Sequence, residues 1–512
     1  MRDRSEAAPP PPERLERGLG LLDATMLVIG SMIGSGIFIV SAESTRLVGS
    51  PGWLLAAWGL AGVLTITGAL SCAELAALWP RAGGQYVFLR EAYGPGVGFL
   101  FGWGMFVVIQ TGTIAAVAVA FASFLGVLVP SVSPNVHLLS PVQLGSYALT
   151  FTAQQAVAVA MILLLTAVNT RGLTAGKVIQ NTLTVVKTAA LLGLIAAGLL
   201  LGWDAGSAAL SSSWWNPWAN GWTPEGAQPG LGVASGLALA MLLGRAMVGP
   251  LFAQSAWNNV TFAGGEVRDP GRNLPRALLI GCGVVVALYL LANLAYAATL
   301  PLDGIRDAPQ RRVAVAMMER IVGTPGGLLM AAAILVSTFG CNNGLILAGA
   351  RVYYAMARDG LFFRGLGRLN ARHVPAVALV AQGVWAAFLT LPRTVAVAPG
   401  TGEVAYGNVY TQLLEYIVSV DLVFYALMVG AVLVMRRRHP ELARPYRTLG
   451  YPVTPWIYVV LAALLVVDLA WLTPLTSGIG YLLVLTGIPV YLAWRRRFAA
   501  APESAPVAPA GR

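Results

Sequence analysis

The stretch IGSMIGSGIF, residues 29–38, sets three glycines and two serines in the middle of an apolar run long enough to cross a bilayer. Glycine weakens a helix by about 1 kcal/mol relative to alanine, and lipid cannot satisfy a freed backbone group. A break there survives only where protein or water surrounds it. Its chemistry is that of naked peptide groups, amides that hold an anion and carbonyls that hold a cation. A second stretch, GRAMVGPLFAQSAWNNVTFAGGE (244–266), is disrupted at Gly249-Pro250 and places Gln254, Ser255, Asn258 and Asn259 at membrane depth. A proline kink in a packed helix would read the same way. Two charges, Lys187 and Arg245, also fall inside apolar runs. Nothing resembles a catalytic set. His137, His373 and His439 lie in connections or at run ends, and no carboxylate pair appears. Neither a phosphate-cradling GxxxxGK[ST] loop nor a metal spacing among Cys72, Cys282 and Cys341 is present. Chemistry on a substrate and transport powered by ATP within this chain are therefore not expected.

The elements that position these residues follow from composition. Of 512 residues, 57% are hydrophobic and 11% charged, and the mean hydropathy is +0.71. A soluble domain carries about 25% charged residues, so most of this chain lies in lipid. Twelve apolar runs of spanning length occur, at 21–48, 51–78, 96–129, 152–169, 176–200, 233–263, 276–299, 325–354, 375–392, 404–434, 454–473 and 476–494. An all-α membrane protein of twelve transmembrane helices is expected. With both termini in the cytoplasm, 25 of the 33 Lys and Arg fall in cytoplasmic segments and six outside. Arg436 to Arg438 and Arg495 to Arg497 each directly follow a run, so the net charge of +11 sets topology and does not mark nucleic-acid binding. Residues 1–17 and 496–512 are expected to be disordered cytoplasmic tails. The cysteines, all within runs, serve most simply as small packing residues. Trp203, Trp214, Trp215, Trp218 and Trp222, in the connection 202–232, suit rings at the headgroup level or a ligand-stacking platform.

Topology gives each break a polarity. The first run goes from inside to outside, so its inner half ends near Ile33 with unpaired carbonyls and its outer half begins around Ser35 and Gly36 with unpaired amides. The sixth runs the other way, so its outer half also ends in free carbonyls, near Phe252 to Ser255. One pocket then offers amides to a carboxylate and carbonyls to an ammonium, which describes a zwitterionic α-amino acid. Gly34 and Gly36 would let the ligand approach the backbone closely.

Four stretches make the chain recognisable: IGSMIGSGIF, CAELAALWPRAGGQYVFLREAYGP (72–95), LFAQSAWNNVTFAGGEVRDPGRNLPRA (251–277) and STFGCNNGLILAGARVYYAMARDG (337–360), with RHPELARPYR (438–447) in support. From about residue 18 to 495 the sequence resembles the amino acid–polyamine–organocation superfamily, and within it the L-type amino-acid transporter branch and its bacterial relatives. The resemblance implies two inverted five-helix repeats with discontinuous helices 1 and 6, plus two further helices. The corresponding units are 18–200, 233–434 and 454–495. It implies no cofactor and no metal. The substrate region becomes Met32, Ile33, Gly34, Ser35 and Gly36 facing Phe252, Ala253, Ser255 and Ala256. Amides of Ser35 and Gly36 would take the carboxylate, and carbonyls of Met32, Phe252 and Ser255 the ammonium. The Phe252 ring would be a thin outer gate, a reading its place at the break favours over a plain core role.

By the same resemblance, Lys187 stands where sodium-coupled relatives hold a cation, bonding first-span carbonyls and a hydroxyl such as Ser337. Burying an ammonium at mid-membrane costs roughly 2.5–3.5 kcal/mol, so it requires partners or a function; a lysine snorkelling to a surface is the plainer alternative. Arg245 is not expected from the family. It would line an outer vestibule, pair with a carboxylate, or reach the headgroups. Gln254 and Ala256 stand where relatives usually have tyrosine and glycine, which puts side-chain preference in question. Glu74, Arg81, Arg90 and Glu91, with Glu266, Arg268, Asp269 and Arg272 after the sixth run, suggest inner-gate ion pairs or ordinary solvated charges.

The expected function is sodium-independent movement of an amino acid by alternating access, as exchanger or proton-coupled permease. An amino-acid sensor with the same site is the alternative, and the short tails argue against it. Animal relatives pair with a glycoprotein through a disulfide after the third span. The segment 130–151 has no cysteine, so no disulfide-linked heavy subunit is expected. The arginine-rich, lysine-poor composition suits a bacterial inner membrane protein.

Overall fold

The computed structural model describes residues 18–81, 83–171, 176–372, 374–397 and 404–498. The tail at 1–17, most of that at 496–512, and His373 lie outside the described residues. Among the described residues, ten helices are long and apolar enough to cross a membrane. They are span two (Pro51–Leu78), three (Pro95–Leu128), four (Ala153–Thr170), six (Ser235–Ala253), seven (Pro270–Thr299), eight (Thr324–Arg358), ten (Val409–Arg438), eleven (Val453–Leu472), twelve (Pro474–Arg495) and five, helical over Gly176–Leu201. Span one is a broken pair, Leu21–Met32 and Gly36–Val48, bent by 44°. Span nine is the shorter apolar helix Ala376–Leu389. The molecule is an all-α membrane fold of twelve spans. We call the face at which span one begins the inner face.

Some boundaries differ from those read in the sequence. Residues 404–406 form a strand, and span ten starts at Val409; span nine ends at Leu389. Four strands, β1 (His137–Leu144), β2 (Tyr147–Thr152), β3 (Pro392–Val397) and β4 (Val404–Tyr406), pair antiparallel in that order on the outer face. Hydropathy alone absorbed β4 into an apolar run and left β1 and β2 as plain connection. Two strands of the sheet come from each of two distant connections, so neither pair signals the other along the chain.

Burial sorts the spans. Span three has 83% of its apolar stretch buried, while spans eleven and twelve have 28% and 22%, which leaves the last two on the periphery. Spans one and six meet at the centre. A Cβ on Gly36 would lie 2.5 Å from the Ala253 Cβ, and one on Gly249 2.5 Å from the Val40 Cβ. These are reciprocal contacts one helical turn apart, of the small-residue kind that lets helix backbones approach in lipid. The Ser44 hydroxyl donates to the Ala246 carbonyl at 2.8 Å farther out. At the inner face the Leu19 amide donates to the Glu266 carbonyl (3.0 Å), and the Arg268 amide to the Leu19 carbonyl (2.9 Å). The two broken spans are thus tied at the break and at both ends.

The connection 202–232 does not float at the surface as a whole. Trp222 is 7% exposed, its Nε1–H donates to the Leu47 carbonyl at 3.0 Å, and its ring packs on Gly49 at the outer end of span one. Trp203, Trp215 and Trp218 remain exposed.

Candidate substrate site at two facing breaks

The helix of span one stops at Met32 and restarts at Gly36. Ile33 is extended (φ −72°, ψ 98°) and Ser35 is the N-cap of the outer half, with no side-chain cap. The last carbonyls of the inner half are each taken by a neighbouring span. Lys187 Nζ of span five donates to the Gly30 carbonyl. Cys341 Sγ of span eight approaches the Ser31 carbonyl at 4.0 Å, and Tyr289 of span seven donates to the Met32 carbonyl at 3.0 Å. Helix ends inside lipid require such partners. In the outer half the amides of Ser35, Gly36 and Ile37 have no backbone acceptor among the described residues. They form an anion-receptive helix start.

Span six remains helical through Pro250, which sits in the first turn of Val248–Ala253 where a missing amide costs little. The break follows at Gln254 to Asn258, and short helices Asn259–Phe262 and Gly264–Glu266 carry the chain to the inner face. The Phe252 carbonyl is already occupied: it accepts from the Ser255 amide at 3.1 Å and the Ser255 hydroxyl at 2.7 Å. The carbonyls of Ala253, Gln254 and Ser255 have no backbone donor among the described residues. The free acceptors therefore sit one to three residues later than Phe252. Ala256 has φ +65°, a left-handed conformation in which an alanine pays a steric cost.

The disruption of span six falls at Gln254 to Asn258 and not at Gly249-Pro250, which the helix Val248–Ala253 contains, and other details differ from those expected. Gly36 is small for the sake of span six, since its missing Cβ makes room for Ala253. Gly34 faces Cys341, where a Cβ would lie 3.2 Å from Sγ. Neither glycine is explained by ligand approach alone. Ser337 is buried, but its hydroxyl has no partner among the described residues, so Lys187 does not bond it; the sulfur of Cys341, one turn along span eight, lies by the first-span carbonyls. The inner charges pair with spans eight and ten. Glu74 accepts from Arg436 at 2.9 and 2.7 Å and from the Thr448 amide and hydroxyl at 2.7 and 2.8 Å. Arg90 pairs with Asp359, and Arg351 with Glu266 at 3.5 Å. Beside these pairs, Asn258 of the sixth-span break donates to Gln85 of the connection after span two at 2.7 Å.

Span ten supplies what the sequence reading missed. Tyr410 lies 3.0 Å from the Ser35 hydroxyl, and its ring meets Phe252 edge to face with centroids 6.1 Å apart. The pair closes over the breaks. Outward of it lies a pocket walled by Glu43, Arg245, Arg311 and Glu415. Arg245 pairs there with Glu415 at 2.9 Å and with Gln228, and Arg311 with Glu43 at 3.2 Å. Burial lowers the pKa of the Arg311 guanidinium, opposed by Glu43. Tyrosines on apolar helices look like core, and Glu415 sits in a mostly apolar run, so neither stands out in the sequence.

Residues 19–493 match the family model described as amino acid permease. The human Asc-type amino acid transporter 1 is 30% identical over 489 residues, covering 94% of this chain and 84% of the relative. The human large neutral amino acids transporter small subunit 2 is 29% identical over 478 residues, with 93% and 80% covered. The human b(0,+)-type amino acid transporter 1 is 28% identical over 464 residues, with 90% and 83% covered.

Proposed function

The chain belongs to the amino acid permease family, and from that premise we propose that it carries a zwitterionic α-amino acid across the membrane by alternating access, without sodium. The observation that carries the proposal is the pair of opposed breaks in contact through Gly36 and Ala253. Amides of Ser35 and Gly36 take the carboxylate. The Ser255 carbonyl, with the second lone pair of Met32 and the free carbonyl of Ala253, takes the ammonium. Phe252 and Tyr410 cover the substrate from the outer side, and their separation opens the outer path. The two inverted repeats, 18–200 and 233–434, rock against each other around this fixed site.

Lys187 does the work of a bound cation. Its ammonium, 2% exposed and set on the Gly30 carbonyl, ties the inner half of span one to span five. That placement supports sodium independence. A receptor using the same site has no observation in its favour, and the relatives named above are transporters.

Both termini lie in the cytoplasm, as the clustering of arginine at inner span ends favours, and the arginine-rich composition suits a bacterial inner membrane. The three cysteines of the chain are buried within spans, so the protein works without a disulfide-linked partner.

Purified protein in liposomes tests the reading. Vesicles preloaded with single amino acids should accumulate labelled amino acid in sodium-free medium; uptake into loaded vesicles alone marks exchange, and gradient-dependent uptake into empty ones marks proton symport. A strict sodium requirement, or no uptake under any loading, contradicts it.

A further inference from the structure

Asp421 is a carboxylic acid in the interior of span ten, a part of the molecule that the site described above does not use. It lies twelve residues from the helix start at Val409 and seventeen from its end at Arg438, about 18 and 25 Å at 1.5 Å per residue. It is 8% exposed. Of the other carboxylates at depth among the described residues, Glu74 is neutralised by Arg436 and Glu415 by Arg245, while half-buried Asp468 of span eleven keeps an unpartnered Oδ2 beside Gly244 of span six. Asp421 has no cationic partner among the described residues; Tyr425, one turn on, donates its hydroxyl hydrogen to Asn258 Oδ1 at 3.1 Å. Asp421 and Tyr425 border a cavity of about 20 Å³ shared with Thr65 of span two, Gln254 and Ser255 of the sixth-span break, and Tyr458 of span eleven.

A lone carboxylate at membrane depth is strongly disfavoured and is resolved by a proton or a cation. The space decides between them. Room for about one water admits no guanidinium or ammonium side chain, and a bare metal ion would find Asp421 as the single acid of the lining, with no cluster of acidic ligands among the described residues. The Gln254 Oε1 at the same cavity is buried and has no donor among the described residues, so the cavity is lined by a second acceptor that lacks a hydrogen. No charged group is recorded within bonding distance of Asp421: Glu415 and Arg436 on its own helix, Glu74 on span two and Arg245 on span six are engaged in the pairs above, and Asp468 lies ten residues outward of Tyr458 on span eleven.

We infer that Asp421 is the proton-binding group of transport. Its carboxylate forms an O–H bond with a proton taken from one side, keeps it while the breaks are closed over the amino acid, and releases it when the Gln254–Asn258 break admits water from the other side. The site touches Ser255, which belongs to the substrate region, so proton and amino acid share one moving element. The inference rests on the transport reading and adds the ion that drives it.

The test uses full-length protein in liposomes containing an entrapped pH dye, with labelled neutral, basic and acidic L-amino acids as probes. Wild type should move protons when the amino acid is added, and a gradient of about one pH unit, acid outside, should drive accumulation up to about tenfold for one proton per amino acid. Asp421→Asn should lose the response to the gradient, and Asp421→Glu should keep it. An Asp421→Asn protein that responds like wild type, or an effect confined to basic amino acids, overturns the inference. So does wild type that exchanges amino acids in loaded vesicles without moving protons, a result that leaves the transport reading standing and needs no folded variant. Wild type that neither exchanges nor accumulates fails the transport reading itself.

Discussion

Gly36 carries the tightest constraint among the site residues, because the clash its Cβ would make is with backbone as well as side chain: 2.5 Å to the Ala253 Cβ and 2.9 Å to its Cα. Gly36→Ala should reduce uptake at least tenfold, about 1.4 kcal/mol, by prising spans one and six apart. Adding Ala253→Gly removes the nearer contact and should restore part of the loss, which a counterflow assay of the double variant would show. Gly34→Ala meets only the end of the Cys341 side chain and should be milder. The reverse applies at Ala256, whose φ of +65° costs about 1–2 kcal/mol in an L-residue. Ala256→Gly should raise the thermal unfolding temperature in detergent. An unchanged or lowered temperature would mean that surrounding contacts have absorbed the strain.

Among the elements, spans five and ten act on the breaks from opposite sides. Span five delivers Lys187 to the Gly30 carbonyl. Lys187→Ala should leave that helix end unsatisfied and lower uptake at least tenfold, about 1.4 kcal/mol, with sodium neither required before nor restoring it after. Span ten holds span six through Arg245 and Glu415, whose side chains are 20% and 9% exposed. Arg245→Gln strands the more buried carboxylate and should cost about 2 kcal/mol of stability, less than a fully buried pair would. The double change Arg245→Gln with Glu415→Gln should cost less than either alone, as thermal unfolding of the three variants would reveal. If Arg245→Gln also left competition by neutral and acidic amino acids unchanged, the arginine would be a strut and not a reader of substrate charge.

For the whole molecule, what was legible in the sequence is what hydropathy and backbone chemistry encode. Glycines at 30, 34 and 36 and polar side chains at 254, 255, 258 and 259 are improbable in lipid, which marked both regions, although Gly249-Pro250 pointed to a sixth-span break about one turn too early; Lys187 stood out for the same reason. The partners of those breaks were not legible. Tyr289, Tyr410 and Cys341 reach them from other spans, and an apolar run containing a tyrosine carries no mark of where its hydroxyl points. The acids of span ten, Glu415 and Asp421, were diluted by the leucines and valines around them. The outer sheet joins connections some 240 residues apart, beyond any local pattern. The central claim, that two opposed unwindings grip both ends of an amino acid, is most directly tested by an experimental structure with the best-transported amino acid bound. The account predicts the ligand carboxylate within hydrogen-bond reach of the Ser35 and Gly36 amides and its ammonium at the Ser255 carbonyl. A ligand held elsewhere, or span one running unbroken through residues 32 to 36, would contradict it.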